Sequence, residues 1–521
     1  MLIDRGTVAR EAIQAASVDI DPASTSNLIG GSDDLRPLSK AAIDAARTLK
    51  SHAMSPVILA GLVRLFEWLV IAGTGLALYA WYLGSQFGFS ALYVGMIVGV
   101  PTVAVAVFQL LGLYTPYGMR SIAHQGLRVV GGWTVLFALM LAFAFFSNVG
   151  DDLSRLWVGL WFATGLMTLM LYRSAVVALV GHWTAAGRLQ RNVALVGGGK
   201  EAERLVEALR NSANSDLNLI GFFDDRGDDR SQQRCAGLPK LGSVDDAVAF
   251  ARMASLDMII VTLPMTAEKR VLDMVRKLWI LPIDVRLSAH TAKLRFRPRA
   301  YNYIGNVPFL AIFDRPLTDW DYVAKAVLDR VLGFAMLVAL SPVMIATAIA
   351  VKLDSKGPVF FKQKRFGFNN EPIGVYKFRS MYTDMCDAQA TKLVTKGDPR
   401  VTRVGRFIRA TSIDELPQLF NVVFKGDLSL VGPRPHAMAA KAAGGLYHDV
   451  VDGYFARHKV KPGITGWAQV NGWRGETDTL EKIERRVEHD LFYIENWSIL
   501  FDLQIIAMTP LALLTNKENA Y

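Results

Sequence analysis

The stretch TSIDELPQLFN, residues 411–421, places two carboxylates side by side in a chain that is otherwise rich in apolar residues. Ser412 followed three residues later by Glu415 is the pattern of a helix-capping box. Asp414 would then lie in the first helical turn, where negative charge is favourable. The alternative is a chemical role for the two acids. This stretch alone leaves both interpretations open, and the surrounding sequence has to decide between them.

Basic residues surround the two acids in the sequence. Residues 352–461 contain 19 lysines and arginines but only 10 aspartates and glutamates, so most of the net charge of +10 lies there. Arg and Lys side chains beside turns are suited to binding a pyrophosphate. A solvated basic face against anionic lipid explains any one of these residues, but four basic motifs around an acidic pair favour a phosphate site. The motifs are YKFRSM (376–381), DPRVTRVGRFIR (398–409), GDLSLVGPRP (426–435) and HKVKPGITGWAQVNG (458–472).

Nucleic acid is not an expected partner of this basic region. No nucleic-acid-binding module and no pattern of exposed stacking residues accompanies the charge. Phosphate esters and phospholipid head groups remain as candidate partners.

An uncharged apolar segment, residues 331–351, precedes the basic region and has Ser341 and Pro342 in its middle. Proline removes a helical hydrogen bond and kinks a helix. Basic residues flank the segment on both sides, and the positive-inside rule therefore places both ends in the cytoplasm. The sequence predicts a re-entrant helix over 324–352 that breaks at Ser341 and Pro342 and dips into one leaflet. A plain kinked span is the alternative.

The composition of the whole chain indicates a membrane protein with soluble parts. Of its 521 residues 52% are hydrophobic, and the mean hydropathy is +0.26. Four apolar stretches have about the 20 residues that a membrane helix needs, at 56–83, 89–113, 127–149 and 154–180. The two cysteines, Cys235 and Cys386, lack the spacing of a disulfide framework or a zinc site.

The charges between the four spans predict their orientation. Basic residues precede the first span, occupy the loop after the second and follow the fourth, whereas the other two loops have none. The N-terminus and everything after residue 181 are therefore expected in the cytoplasm, and we expect no cleavable signal peptide. Arg64 and Glu67 lie about one turn apart within the first span and are expected to pair with each other.

Residues 192–290 have the pattern of a parallel α/β domain, with short apolar strands that alternate with amphipathic helices. Gly197, Gly199 and Ala202 follow the first strand as GxGxxA, and Asp224 follows about 20 to 30 residues later. This is the fingerprint of a Rossmann-like dinucleotide turn. The same turn can also serve packing alone, so a bound nucleotide is one of two possibilities.

A membrane enzyme that transfers hydride on a sugar nucleotide would combine these same parts. Such an enzyme needs a Tyr-x-x-x-Lys pair, and no tyrosine of this chain has a lysine four positions later. The nicotinamide hypothesis is therefore an alternative with evidence against it.

From about residue 322 to its end the sequence resembles the polyprenyl-phosphate hexose-1-phosphate transferases, the monotopic phosphoglycosyl transferases that start bacterial surface polysaccharides. The motifs SIDELPQLFNV (412–422), GDLSLVGPRP (426–435) and KPGITGWAQVNG (461–472) carry the resemblance. The four spans and the α/β domain resemble the long form of that family, which favours glucose as the sugar. Where many relatives have an acid shortly after the basic residue that opens the re-entrant segment, this chain reads Arg330-Val-Leu-Gly333, which puts a local ion pair in doubt.

The resemblance implies a chemistry for the two acids. Asp414 would attack the sugar-proximal phosphate of a UDP-sugar, expel UMP and hold the phosphosugar until undecaprenyl phosphate accepts it. Glu415 would bind the required Mg²⁺. A carboxylate near cations is expected to stay ionised and able to attack. Adjacent helical residues diverge by about 100°, so the two acids should have different roles. The residues that match phosphate- or nucleotide-binding positions are Lys377, Arg379, Arg409 and Arg434.

The resemblance also implies a fold class and a location. We expect a mixed membrane protein with a four-helix transmembrane bundle, a Rossmann-like α/β domain, a re-entrant membrane helix and an α/β phosphoglycosyl transferase domain. It would lie in the bacterial inner membrane with its soluble domains in the cytoplasm, and a homodimer is left open. The predicted parts are a polar N-terminus (1–50), the four spans (51–185), the α/β domain with its linker (190–320) and the catalytic domain (322–521).

Two points stay open at this stage. The apolar C-terminal stretch 497–514 is expected either as an interfacial helix or as a core helix of the catalytic domain. Besides the transferase and the nicotinamide enzyme, a membrane scaffold that binds a UDP-sugar without turnover is a third hypothesis, and the intact pair of Asp414 and Glu415 argues against it.

Overall fold

The computed structural model describes most of the chain from residue 38 onwards. The described residues are 38–49, 54–84, 90–115, 119, 122–148, 152–212, 216–226, 233–263, 268–288, 302–304, 307–383, 398–436, 441–442, 445–446, 451, 454–473, 475 and 479–515. Most of the predicted polar N-terminus therefore lies outside the described residues. Its described part forms helix α1 (Lys40–Thr48), which packs its buried Ala42 against the α/β domain.

Four long apolar helices follow α1. Each is long and apolar enough to cross a membrane, as the sequence predicted. The helices contact one another through a core that includes Trp133, Trp157 and Trp161, while most of their outer surface is apolar and exposed. They are α2 (Pro56–Leu78, continued by a π-helical turn to Leu83), α3 (Ala91–Leu110), α4 (Ile122–Phe146) and α5 (Arg155–Ala185).

A buried ion pair joins α2 to α5. Glu67 accepts hydrogen bonds from Arg173 Nε at 2.8 Å and from Arg173 Nη2 at 2.7 Å, and the Tyr114 hydroxyl also donates to it. The predicted pairing of Arg64 with Glu67 is wrong, because the guanidinium of Arg64 lies over the Tyr114 ring instead. Arg173 approaches Glu67 from the facing helix with two parallel donors, a geometry that fits a carboxylate closely.

The α/β domain is built on an eight-stranded sheet in the order β3-β4-β2-β1-β5-β6-β8-β7. Strands β4, β2, β1, β5 and β6 are parallel to one another, which confirms the predicted parallel α/β domain, and β3, β8 and β7 add antiparallel pairs at the two edges. Helix α6 (Lys200–Arg210) packs on one face, whereas α1 and α7 (Val244–Met253) pack on the other with α8 (Glu268–Leu278). The strands are β1 (Arg191–Val196), β2 (Leu217–Phe223), β3 (Arg234–Cys235), β4 (Leu238–Gly242), β5 (Met258–Val261), β6 (Asp284–Ser288), β7 (Asn302–Ile304) and β8 (Val307–Phe313).

The C-terminal domain consists of short elements packed around one long helix, α9 (Asp319–Asp354). Strands β9 and β10 form an antiparallel pair, and β11 and β14 form a parallel pair. The other elements are β9 (Phe360–Phe366), β10 (Pro372–Phe378), α10 (Arg403–Ala410), α11 (Gln418–Phe420), β11 (Ser429–Val431), β12 (Lys441–Ala442), β13 (Gly445–Leu446), β14 (Gly463–Thr465), α12 (Trp467–Val470), α13 (Leu480–Glu495) and α14 (Ile499–Thr515).

Helix α9 continues through the position where a break was predicted. All its residues are helical, and Ser341 and Pro342 lie in its interior. Pro342 cannot donate to the carbonyl of Val338 four residues earlier. The Ser341 hydroxyl donates to that same carbonyl at 2.7 Å and so replaces the missing hydrogen bond. The predicted break in the helical backbone at Ser341 and Pro342 is therefore wrong.

The first turns of α9 are anchored by buried charges. Lys325 pairs with Asp329 at 3.1 Å and with Asp502 of α14 at 2.7 Å, and it donates to the carbonyl of Val431. This ion pair is not the one that the sequence put in doubt, because its members are Lys325 and Asp329, whereas Arg330 donates to the carbonyl of Ala326 at 3.3 Å. Helix α14 buries Ile505 and exposes 77% of Leu500, so its inner face is part of the core and its outer face is apolar surface.

The ion pair between Glu67 and Arg173 generates a test of the helical packing. The Glu67→Gln variant leaves the Arg173 guanidinium buried without its counterion, which should cost about 3–5 kcal/mol. We expect a large fall in the midpoint of thermal unfolding in detergent. Glu201→Gln, at the largely exposed pair with Arg204, should change stability by at most about 1 kcal/mol. Equal effects of the two substitutions would contradict the structure.

Candidate active site

The two adjacent acids lie in a short turn between two helices. Helix α10 ends at Ala410, Ser412 adopts a left-handed conformation with φ of 60°, and Ile413–Glu415 then forms one 3₁₀ turn. The predicted capping box is wrong, because Ser412 makes no side-chain capping hydrogen bond. After this turn the chain stays helical but irregular, through α11 (Gln418–Phe420) and a π-helical turn (Asn421–Lys425).

The carboxylate of Glu415 is held between two cations from different parts of the domain. Lys377, on β10, approaches Glu415 Oε1 at 2.9 Å. Arg434, in the loop after β11, donates to Oε1 at 2.5 Å and to Oε2 at 3.2 Å. Burial acts to raise the pKa of Glu415, but the charges of Arg434 and Lys377 outweigh it and hold this pKa well below its ordinary range.

The carboxylate of Asp414 has a different environment. It is only 7% exposed, and among the residues that the structure describes it forms no ion pair and accepts no hydrogen bond. Burial and the neighbouring charge of Glu415 raise its pKa to about 6, although Lys377, Arg409 and Arg434 act to lower it. The expectation of an easily ionised acid is thus only partly met. With a pKa of about 6 and no ion-pair or hydrogen-bond partner among the described residues, Asp414 has the properties that a nucleophilic carboxylate requires at neutral pH.

The loop that presents Arg434 is fixed by buried polar contacts. Arg457 has no exposed surface, and it donates to the Arg434 carbonyl at 2.8 Å and to Asp490 Oδ2 at 2.6 Å. At the start of the loop, a Cβ on Gly463 would lie 2.1 Å from the backbone nitrogen of Gly432. The glycines of the GPRP and PGITG motifs therefore let two backbones cross closely, whereas the sequence suggested turn amides for phosphate.

The remaining candidate residues do not all reach the acids. Arg409, at the end of α10, lies near enough to act electrostatically on Asp414. Arg379 does not join this cluster through its hydrogen bonds, since its buried guanidinium donates to the carbonyls of Val351 and Ser355 at the end of α9. Arg379 therefore caps α9 in this structure.

The glycine turn of the α/β domain lies where the sequence placed it, between β1 and α6. Gly197 and Gly199 have positive φ angles of 100° and 112°. The amide of Gly198 donates to the carboxylate of Asp224 at 3.0 Å. The first turn of α6 carries Glu201 and Glu203. The acids of the turn have cations beside them, since Asp224 lies 4.0 Å from Arg226 and Glu201 pairs with Arg204 at 3.1 Å.

Comparison with known proteins identifies the family of the chain. A family model described as bacterial sugar transferase matches residues 320–516, and one described as CoA-binding domain matches residues 109–289. A protein of Xanthomonas campestris pv. campestris, named UDP-glucose:undecaprenyl-phosphate glucose-1-phosphate transferase, is 33% identical over 457 residues, 87% of this chain and 93% of the relative. A protein of the same name from Escherichia coli is 35% identical over 473 residues, 90% of this chain and 98% of the relative.

The chain belongs to the bacterial sugar transferase family. The resemblance seen in the sequence is thereby confirmed. The exopolysaccharide production protein PSS of Rhizobium leguminosarum bv. phaseoli is 47% identical over 199 residues, which are 38% of this chain but 99% of that relative.

The donor set of this sugar transferase suits a hard cation that arrives with a phosphate ligand. Among the described residues no group of three or more His, Cys, Asp or Glu side chains could hold a metal by itself. Mg²⁺ needs only one or two protein carboxylates when substrate phosphates supply other ligands. Glu415 could be such a carboxylate, although Lys377 and Arg434 would then have to share it.

Sequence reasoning missed several residues of the site. Arg457, His436 and Asp490 form a buried network behind Arg434, and burial together with the charge of Arg457 holds the His436 pKa well below its ordinary value. Asn421 fixes β10 to the segment of the acids. Nothing in the spacing of Arg457 and Asp490, 33 residues apart, predicts their contact. Asn421 stood inside the motif but offers no charge that would have marked it.

The raised pKa of Asp414 generates a prediction about pH. If Asp414 attacks as the ionised carboxylate, kcat/KM should fall about tenfold per pH unit below about pH 6. In Lys377→Met the cation that lowers the Asp414 pKa is lost, and the acid limb should move to higher pH. Initial rates of nucleotide release between pH 5 and 9 would measure both. An acid limb that lies at the same pH in the variant would contradict the assignment.

Proposed function

We propose that the chain transfers glucose-1-phosphate from UDP-glucose to undecaprenyl phosphate and releases UMP, as the initiating step of an exopolysaccharide, capsule or O-antigen. The family and the names of the relatives that match almost end to end support the reaction class and the donor. The observation that carries the mechanism is the contrast between the two acids: within the described part of the chain Asp414 is buried without an ion-pair or hydrogen-bond partner, whereas Glu415 is held by two cations.

In the first step a carboxylate oxygen of Asp414 attacks the sugar-proximal phosphorus. The bond from that phosphorus to the oxygen bridging the two phosphates breaks, and its electron pair leaves with UMP. Asp414 then carries the glucose phosphate as an acyl phosphate. Lys377, Arg409 and Arg434 lie where their charges offset the negative charge of the diphosphate, and positioning and charge neutralisation account for most of the catalysis.

In the second step a phosphate oxygen of undecaprenyl phosphate attacks the same phosphorus. The bond between phosphorus and the Asp414 oxygen breaks, and the carboxylate is regenerated. The product is a lipid diphosphate sugar. No proton has to be removed from the attacking group in either step, since both nucleophiles are ionised at neutral pH, and this fits a site whose described charged groups around Asp414 are Glu415, Lys377, Arg409 and Arg434.

We propose that Mg²⁺ binds to Glu415 together with the diphosphate of the donor. When bound, the ion supplies positive charge that offsets the charge of the phosphates. In the free protein Oε1 of Glu415 accepts hydrogen bonds from Lys377 and Arg434, and Oε2 accepts one from Arg434. Lys377 and Arg434 would exchange their contacts with Glu415 for contacts with the phosphates when the donor binds.

The anchoring of α9 supports a re-entrant helix in the inner membrane. Lys325 and Asp329 near its start bind β11, while Asp354 at its end accepts from the amide of Val404 at 3.0 Å. Both ends are thus tied to one soluble domain, and the apolar side chains between them are exposed. A helix of 36 residues would span about 54 Å if straight, far more than one leaflet, so we propose a bend at Pro342 without loss of helical structure.

The ends of the four helices support a common cytoplasmic face. The Met54 amide before α2 donates to the Arg188 carbonyl after α5 at 3.0 Å, and the Ser55 hydroxyl donates to Asp319 of α9. The first span begins where the fourth span ends and where the catalytic domain starts. We propose that these residues and both soluble domains lie in the cytoplasm. A homodimer stays a prediction, to be tested by mass measurement in detergent.

The α/β domain is proposed to pack rather than to bind a dinucleotide. The Asp224 carboxylate already accepts from the Gly198 amide, and Glu201 and Glu203 add negative charge where a pyrophosphate would lie. NAD and coenzyme A should therefore leave the midpoint of thermal unfolding unchanged at millimolar concentration. A rise of several degrees with either ligand, absent in a Gly199→Val variant, would support the nucleotide turn instead.

The proposed reaction predicts different effects of substituting the two acids on the release of UMP. Purified protein with Mg²⁺ should release UMP from UDP-glucose, and undecaprenyl phosphate should increase the amount to many turnovers. Asp414→Asn should abolish release, because the neutral amide cannot form the acyl phosphate. Glu415→Gln should lower the rate by orders of magnitude and weaken the dependence on Mg²⁺. Release of UMP by Asp414→Asn at the wild-type rate would contradict the mechanism.

The matched control for these variants is Asp245→Asn. Asp245 lies on α7 of the α/β domain, where its carboxylate pairs with Lys277 at 2.8 Å, outside the four basic motifs. This variant should keep most of the activity. A panel of UDP-sugars then tests the donor: glucose should be preferred, and preference for an N-acetylated sugar would correct the donor without affecting the mechanism.

A further inference from the structure

Asn421, the last residue of the stretch TSIDELPQLFN (411–421), has no charge, and the reaction proposed above does not use it. It is completely buried, with 0% exposed surface, and begins the π-helical turn Asn421–Lys425 six residues after Glu415. A buried amide is costly unless its donors and acceptor are all satisfied. The partners of this amide therefore indicate why a polar residue stands in the core.

The Asn421 side chain binds β10 by two hydrogen bonds. Its Oδ1 accepts from the Tyr376 amide at 3.0 Å, and its Nδ2 donates to the Gly374 carbonyl at 2.9 Å. Backbone groups of residues i and i+2 of a strand point to the same edge. The side-chain amide therefore pairs with β10 much as a further strand would, in a sheet where β9 is the only strand partner of β10 among the described residues.

A third contact fixes the amide itself. Asn421 Nδ2 also donates to Asp427 Oδ1 at 3.1 Å, just beyond the left-handed Gly426 that ends the turn. The amide thus has one acceptor and two donors in use and cannot rotate without breaking a bond. Strand β10 is therefore held at one position along the segment that carries the two acids.

We propose that Asn421 is a positioning residue that sets the distance between Lys377 and the pair Asp414 and Glu415. Lys377 directly follows Tyr376, and its Nζ lies 2.9 Å from Glu415 Oε1. The segment 413–425 carries both Asn421 and the two acids, so the amide and the ion pair join the same two elements at neighbouring points. The inference rests on the proposed function only through the role given to Lys377.

A double-mutant cycle on UMP release tests this inference. Asn421→Leu keeps the number and branching of the side-chain heavy atoms and removes all three hydrogen bonds, while Lys377→Met removes the cation. A displacement of about 1 Å at a catalytic group can cost about 100-fold, so we expect about that loss of kcat/KM in Asn421→Leu. If Asn421 acts through Lys377, the double variant should be little worse than Lys377→Met alone.

Two further measurements separate positioning from a general loss of folding. Val422→Ala truncates the neighbouring buried side chain, which faces Gly333 of α9, and so serves as the matched control of stability. At temperatures well below the unfolding of both variants, Val422→Ala should keep most of the activity. The acid limb of the pH profile should move to higher pH in Asn421→Leu, as in Lys377→Met, and should stay in place in Val422→Ala.

The outcomes are distinguishable. If the fold losses of kcat/KM in the two single variants multiply in the double variant, the inference is overturned. The proposed reaction is not affected by that result. An equal loss in Val422→Ala, with no shift of the acid limb in Asn421→Leu, would also overturn it in favour of a structural role. A fully active Lys377→Met would remove the role of Lys377 and the inference together, whereas activity in Asp414→Asn would overturn the proposed mechanism by itself.

Discussion

The site depends on the ion pairs that Lys377 and Arg434 form with Glu415. They join three segments that are distant in the sequence: β10, the turn of the two acids and the loop after β11. Each segment has its own buried support, since Asn421 holds β10 and Arg457 holds the backbone of Arg434. The same cations make the environments of the acids different. One carboxylate is strongly stabilised as an anion, and the other is buried with a raised pKa, which is the usual way in which a protein gives two acids two roles.

The chemistry is tied to the apolar part of the molecule by a second set of charges. Lys325, Asp329 and Asp502 connect α9 and α14 to β11, whose end leads into the loop of Arg434. Buried charges of this kind fix one arrangement more than they add stability, because desolvation offsets much of their attraction. The pair Asp414 and Glu415 is thereby held at a constant position relative to α9. For a reaction between a soluble donor and a lipid acceptor, that position decides whether both can reach Asp414.

The sequence predicted the elements with strong periodicity and the residues with distinctive chemistry. The four apolar spans, the parallel α/β domain and the cluster of Lys377, Arg434 and the two acids all lie where the motifs placed them. Local backbone geometry was less predictable. The capping box failed because Ser412 is left-handed, and the helix break failed because the Ser341 hydroxyl replaces the hydrogen bond that Pro342 removes. Arg379 follows Lys377 by two residues, but β10 ends between them at Phe378, so the alternation that would place both side chains together no longer applies.

The measurement that tests the account most directly is the fate of the sugar-proximal phosphate when no lipid acceptor is present. Protein incubated with UDP-glucose labelled at that phosphorus, quenched and digested, should carry the label on the peptide that contains Asp414. The bond should be labile to hydroxylamine, as an acyl phosphate is, and addition of undecaprenyl phosphate before quenching should remove the label into the lipid. UMP release without labelled protein, or a label on a residue other than Asp414, would contradict the covalent mechanism.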